Sequence, residues 1–192
     1  MMGMLLGGVL AMAAPEAVPP TEAEWAKIAA GSVVTRAAPD LDPPGAYGWV
    51  EIEASPDAIW ATLLDPVVAV EASSAVTACT VYRDETVGEG RLVGLAYELT
   101  VAWTDISYSV VRDFRPRQGW MTWSLDPARE HDLRHSSGFY VLTPGRTAGH
   151  VLMSYGTQTD SGRRIPAPIQ QFLTGKALKN YLGNIQRAAE EA

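Results

Sequence analysis

The chain has 192 residues, of which 22 are acidic and 15 basic, so its formal net charge is −7 and its pI is about 4.9. Hydrophobic residues make up 47% of the sequence, enough for a sizeable core, which argues against a disordered protein. No basic stripe is visible, which argues against nucleic acid as a partner and against charge-driven adsorption to an anionic membrane.

The first fourteen residues, MMGMLLGGVLAMAA, carry no charge and are mostly apolar. This run is shorter than the ~20 residues that span a bilayer, but it fits the apolar region of a signal peptide, with Ala11-Met12-Ala13 as the cleavage site. Because no Lys or Arg precedes it, an apolar arm that stays attached is the alternative. We therefore expect residues 1–14 to be a signal peptide and the mature protein to be periplasmic or secreted; without a signal it would be cytoplasmic.

Residues 15–46 are predicted to be a linker that contains a short helix and a short strand. Thr21 and Glu24 form the capping-box pattern of a helix that ends at Gly31. SVVTR then has the composition of a short strand, and PDLDPPG (39–45) is a strong breaker. We expect the compact domain to occupy residues 47–192.

The stretch VEIEASPDAIWATLLD (50–65) predicts a strand that leads directly into a helix. Its first residues alternate between apolar and acidic side chains, the period of a half-buried strand. Ser55 then suits a helix N-cap and Pro56 the first helical position, and Trp60 lies among apolar residues at helical spacing.

Six further runs have strand-like composition and are separated by short turn sequences, so neighbouring strands should pair as antiparallel hairpins. These runs are Val76–Asp84, Arg91–Val101, Asp105–Phe114, Trp120–Leu125, Ser136–Leu142 and Val151–Thr159.

The last part of the chain, after two prolines, predicts one long amphipathic helix. Its apolar face comprises Ile169, Phe172, Leu173, Leu178, Tyr181, Leu182 and Ile185. A terminal helix of this length can cover one face of a sheet. The fold class is therefore α+β, with a curved antiparallel sheet of about seven strands around a long C-terminal helix.

The motif V-x-I-x-A-S-P-D-A-I-W-A-x-L-x-D at residues 50–65 resembles the opening of the START-like superfamily, which includes polyketide cyclase/aromatase-like and coenzyme Q-binding proteins. The segments WSLDP, GFYVLTP and VLMSY are similar to its middle strands, and the final helix has the corresponding position. The resemblance covers about residues 47–190. It implies the helix-grip fold, with an apolar pocket between sheet and helix and with Trp60 closing one end of the sheet.

Strand parity indicates which side chains face that pocket. The residues expected to contact a ligand are Tyr97, Tyr108, Trp123, Tyr140, Met153, Tyr155 and Phe172. Buried tyrosine hydroxyls need hydrogen-bond partners, which a ligand or water can supply. A fully packed aromatic core is the alternative for each of these residues.

The sequence predicts no metal site and no cofactor. Cys79 is the only cysteine, and strand-like residues flank it, so we interpret it as a buried thiol. His131 and His135 would lie about 6 Å apart on a helix but roughly 13 Å apart in an extended chain, and the extended chain is expected because helical periodicity is absent.

No catalytic residue is assigned from the sequence. The candidates for acid–base chemistry are interpreted as solvated charges at strand ends or on the outer face; they are Glu98, Asp105, Asp113, His131, Asp132 and His150. No nucleophile elbow or phosphate-binding glycine loop is evident.

These patterns favour a protein that binds or carries a small hydrophobic molecule, such as a lipid, an isoprenoid or a polyketide-like compound. One alternative is a cyclase/aromatase-type enzyme that uses the same pocket, and another is a protein-interaction module. The expected partner is a small apolar ligand, with no nucleic acid and no stable membrane span in the mature protein; protein partners are not predicted.

Overall fold

A computed structural model describes residues 14–101, 103–160, 162 and 176–192. The helices are α1 (Glu22–Ala29), α2 (Pro56–Leu64), α3 (Pro66–Glu71) and α4 (Lys176–Glu190). The strands are β1 (Val34–Ala38), β2 (Gly45–Ile52), β3 (Val76–Val87), β4 (Gly90–Val101), β5 (Thr104–Arg115), β6 (Trp120–Leu125), β7 (His135–Pro144) and β8 (Val151–Asp160).

All the strands of the described part form one antiparallel sheet in the order β1-β2-β8-β7-β6-β5-β4-β3. The α+β class and the covering C-terminal helix are confirmed. The strand count of about seven was too low, since the sheet has eight strands. The additional strand is β1, which pairs with β2 from Val34↔Trp49 to Ala38↔Gly45. The sequence indicated a short strand here, at SVVTR, but assigned it to the linker and not to the sheet.

The inner face of the sheet is defined here as the face that α4 covers. Leu178, Leu182 and Ile185 of α4 are buried in the same core as Val50 and Met153 of the sheet. The helix lies close to Gly48 of β2, where a β-carbon would be 2.3 Å from Leu182 Cδ1. The predicted helix positions Ile169, Phe172 and Leu173 lie outside the described residues.

The predicted strand–helix corner is present between β2 and α2. Ser55 Oγ accepts a hydrogen bond from the Ala58 amide at 3.2 Å, and Pro56 occupies the first turn. Trp60 is buried and meets Phe114 of β5 edge-on, with ring centroids 5.3 Å apart. The corner therefore closes one end of the inner core, as the sequence indicated.

Helix α1 contributes to a smaller core on the outer face of the sheet. Ile28, Val34, Trp49 and Leu152 are buried there together. Trp49 Nε1 donates a hydrogen bond to the Val18 carbonyl at 3.0 Å. Residues that precede the predicted domain boundary at Tyr47 are thus packed onto the sheet.

Strand β3 lies at the far edge of the sheet and is irregular. Its pairing with β4 shifts register between Val76 and Ala78 and again between Val81 and Arg83. Tyr82, at the second shift, donates from its hydroxyl to Asp126 Oδ2 at 2.7 Å. Among the described residues, no helix is both long and apolar enough to cross a bilayer.

Candidate functional site

A cavity of about 170 Å³ lies between the inner face of the sheet and the first turns of α4. Every strand from β3 to β8 contributes to its wall, together with α3. On the helix side the wall includes Ala177, Leu178 and Tyr181. The part of the inner face that contains Val50 and Met153 packs against the rest of α4 and is not part of this wall.

Five of the seven residues that the sequence placed in the pocket line this cavity: Tyr97, Tyr108, Trp123, Tyr140 and Tyr155. Met153 does not line it. It is fully buried in the solid part of the core, where it pairs with Val50 on one side and Leu142 on the other. Phe172 lies outside the described residues.

The aromatic side chains form two groups within the wall. Trp123 packs against Tyr140 and Tyr155, at centroid distances of 5.3 and 5.6 Å. Gly138 makes this possible, because a β-carbon there would lie 2.2 Å from Trp123 Cζ2. On the neighbouring strands, Tyr97 and Tyr108 stack at 5.2 Å. The result is an apolar wall with phenol hydroxyls set into it.

The tyrosines of the wall are neutral at physiological pH. Burial raises the pKa of Tyr97 and of Tyr140 well above the ordinary value of tyrosine, although the nearby Arg112 charge acts in the opposite direction. Tyr140 and Tyr181 share a hydrogen bond between their hydroxyls at 2.7 Å. Neutral hydroxyls both donate and accept hydrogen bonds, so they suit the polar atoms of a ligand or of water.

Arg112 of β5 is a wall residue that the sequence analysis missed. It is only 6% exposed. Its Nη1 donates to the Leu63 carbonyl at 2.5 Å and its Nη2 to the Tyr97 hydroxyl at 2.7 Å, whereas its buried Nε has no partner. Strand parity could have found it, since it follows Tyr108 and Val110 at intervals of two.

The six acid–base candidates are not part of the cavity wall. Asp113 is buried with its carboxylate 2.6 Å from Arg115, and Asp105 accepts from the Thr100 hydroxyl at 2.7 Å. His131 lies in the loop between β6 and β7, and His135 is the first residue of β7, so neither belongs to a helix. Within the described ranges, no three His, Cys, Asp or Glu residues are grouped so that they could hold a metal ion.

No protein-family model matches the chain, and no curated protein matches its sequence. Solved structures do match. A START superfamily protein from Mycobacterium smegmatis has a TM-score of 0.57 at 13% identity, over 84% of this chain and 99% of that one. Zhui aromatase/cyclase from Streptomyces sp. R1128 has a TM-score of 0.55 at 14% identity, over 82% and 95%.

Human StAR-related lipid transfer protein 5 is also similar, with a TM-score of 0.59 at 10% identity over 83% of each chain. At these identities the likeness concerns the fold. It agrees with the sheet order, the covering helix and the strand–helix corner described above. The chain has the START-like, helix-grip fold.

Proposed function

We propose that the protein binds a small hydrophobic molecule in the cavity between the sheet and α4. The observation that carries this proposal is the cavity itself. Six aromatic side chains of the described residues line it, at a place between sheet and helix where a packed core would be expected. Well-packed domains leave few voids larger than a water molecule. A volume of about 170 Å³ slightly exceeds the roughly 150 Å³ of an apolar cavity that admits benzene.

The cavity chemistry supports an apolar ligand with some polar atoms. Rings and aliphatic side chains provide most of its wall, and tyrosine hydroxyls provide hydrogen bonds. Lipids, isoprenoids and polyketide-like compounds fit this description. A lipid transfer protein and an aromatase/cyclase, by their names, are among the structures with the same fold. Because the acid–base candidates lie outside the wall, binding is the function that we favour.

Titration with N-phenyl-1-naphthylamine, a neutral apolar fluorophore, tests the proposal. We expect a saturable rise in fluorescence with the wild type. Ala177→Phe adds a ring to the helix side of the wall and should abolish that rise by filling the cavity. Asn180→Phe adds the same ring at an exposed position of the same helix and should leave binding unchanged.

Absence of saturable binding to the wild type would overturn the proposal, and so would equal binding to the Ala177→Phe variant. Circular dichroism checks that each variant is folded. Mass spectrometry of an organic extract from protein purified out of its native host then identifies the natural ligand.

A further inference from the structure

Arg112 is a buried cation for which the chain provides no anion. None of the ion pairs among the described residues includes it. The residues outside the described part, 1–13, 102, 161 and 163–175, contain no Asp or Glu. The whole set of carboxylate side chains is therefore described, and none of them pairs with Arg112.

The next arginine along the same strand shows the contrast. Arg115 lies on the outer face and has the Asp113 carboxylate 2.6 Å from its Nε. Arg112, on the inner face, has only two neutral acceptors, the Leu63 carbonyl and the Tyr97 hydroxyl. A buried charge is costly unless an opposite charge or a full set of hydrogen bonds compensates it.

The guanidinium group also has unused hydrogen-bonding capacity. It carries five N–H groups, and the two hydrogen bonds leave three of them available. Nε is one of the three, because it is buried and has no acceptor among the described residues. Two oxygens of one carboxylate can accept from neighbouring N–H groups of an arginine side chain.

Arg112 lies where a ligand in the cavity can reach its side chain. Arg112 is part of the cavity wall, next to Tyr97, Tyr108 and Trp123. A ligand that enters the cavity therefore meets a cation embedded in an apolar, aromatic surface. An acidic group on that ligand would gain a strong interaction, because the surroundings are apolar and no protein carboxylate competes for Arg112 there.

We propose that the ligand is an amphipathic carboxylic acid whose carboxylate pairs with Arg112 while its apolar part occupies the aromatic cavity. This inference rests on the proposed function, that is, on binding in this cavity. A single arginine matches the single charge of a carboxylate, and a phosphate would bring a second charge that no other basic residue among the described wall residues balances.

The test compares three probes of the same ring system at neutral pH: 2-naphthoate, the uncharged 2-naphthamide and 2-naphthyl phosphate. We expect isothermal titration calorimetry of the wild type to give a dissociation constant for 2-naphthoate at least about tenfold lower than that for 2-naphthamide. 2-Naphthyl phosphate should bind more weakly than 2-naphthoate.

Arg112→Gln removes the charge and keeps a polar side chain, so the preference for 2-naphthoate should be lost while 2-naphthamide still binds. Arg117→Gln makes the same change at an exposed side chain, 79% accessible, and should preserve the preference. Arg112→Lys, which keeps the charge without the planar donor group, should retain part of it.

If none of the probes binds to the wild type, the proposed function itself fails. Binding of 2-naphthoate and 2-naphthamide with equal affinity would leave the cavity as a binding site and overturn the carboxylate inference. Stronger binding of 2-naphthyl phosphate would overturn it as well. The wild-type comparison decides the matter even if the Arg112→Gln variant fails to fold.

Discussion

Tyr97, Tyr108, Tyr140, Tyr155 and Tyr181 share one property, which is a pKa raised by burial above the ordinary value of tyrosine. The same burial makes them protonated donors and acceptors around the cavity. It also couples their ionisation to folding, since a phenolate forms much more readily in the unfolded chain.

The stability of the protein should therefore fall at alkaline pH. Each raised pKa favours the protonated, folded form, so this contribution is fully present below about pH 10 and is lost as the pH rises above it. We expect the free energy of unfolding to decrease from pH 9 to pH 11, with phenolate absorbance at 295 nm appearing together with unfolding. Tyr140→Phe should reduce that slope, and an unchanged stability across this range would contradict the assignment.

The two buried tryptophans of the inner core should respond differently to truncation. Trp60 is 3% exposed and fills the end of the sheet against Phe114, so Trp60→Ala should cost about 3–5 kcal/mol of unfolding free energy. Trp123 borders an existing cavity, so Trp123→Ala should cost only about 1–2 kcal/mol and should change probe affinity. Equal losses in urea unfolding would indicate a solid core at Trp123.

At the scale of elements, α4 packs closely against β2. Gly48 allows it, because the side chain that any other residue would carry there points at Leu182. Gly183, which follows Leu182 in the helix, has room for a side chain. A β-carbon there would lie 3.6 Å from Val33 Cγ2, an ordinary contact distance. Two identical substitutions therefore test the docking of α4.

We expect Gly48→Ala to destabilise the protein by about 1–3 kcal/mol, because it forces the helix or the buried Leu182 to move. Gly183→Ala should stabilise it by about 0.4–1 kcal/mol, since alanine is favoured within a helix and restricts the unfolded chain. Urea unfolding of both variants measures the difference. A stabilising Gly48→Ala would contradict the close docking of α4.

The sequence predicted the regular strands well because apolar and polar residues alternate along β4 to β8. Parity brought Tyr97, Tyr108, Trp123, Tyr140 and Tyr155 to one face without any structure. Parity did not separate Met153 from them. Alternation identifies the face of the sheet on which a residue lies, but not whether its position along the strand borders the cavity or the packed core. Arg112 was missed for a different reason, since only apolar and aromatic residues were considered for an inner face.

That the short strand β1 belongs to the sheet was harder to predict. β1 has only five residues, too few for a clear period, and it follows a helix in a proline-rich stretch. Its place in the sheet depends on pairing with β2, which is a tertiary interaction. The cavity volume likewise depends on the position of α4 relative to the sheet, and no local sequence pattern determines this position.

At the scale of the whole molecule, the uncharged, apolar run of residues 1–14 and its Ala11-Met12-Ala13 pattern are typical of an export signal. We propose that residues 1–14 direct export and are then removed. Protein from the native host should show a mature N-terminus near Ala14 by intact-mass measurement, with its fold preserved. Retention of Met1 in that material would contradict the proposal.

The irregular pairing of β3 has a consequence for self-association. As a twelve-residue strand at the end of the sheet, β3 would offer a long row of unpaired backbone groups to a second copy of the chain. Its two register shifts interrupt that row, and Arg83, Asp84 and Glu85 add charge beside the second one. The edge is therefore a poor template for edge-to-edge aggregation.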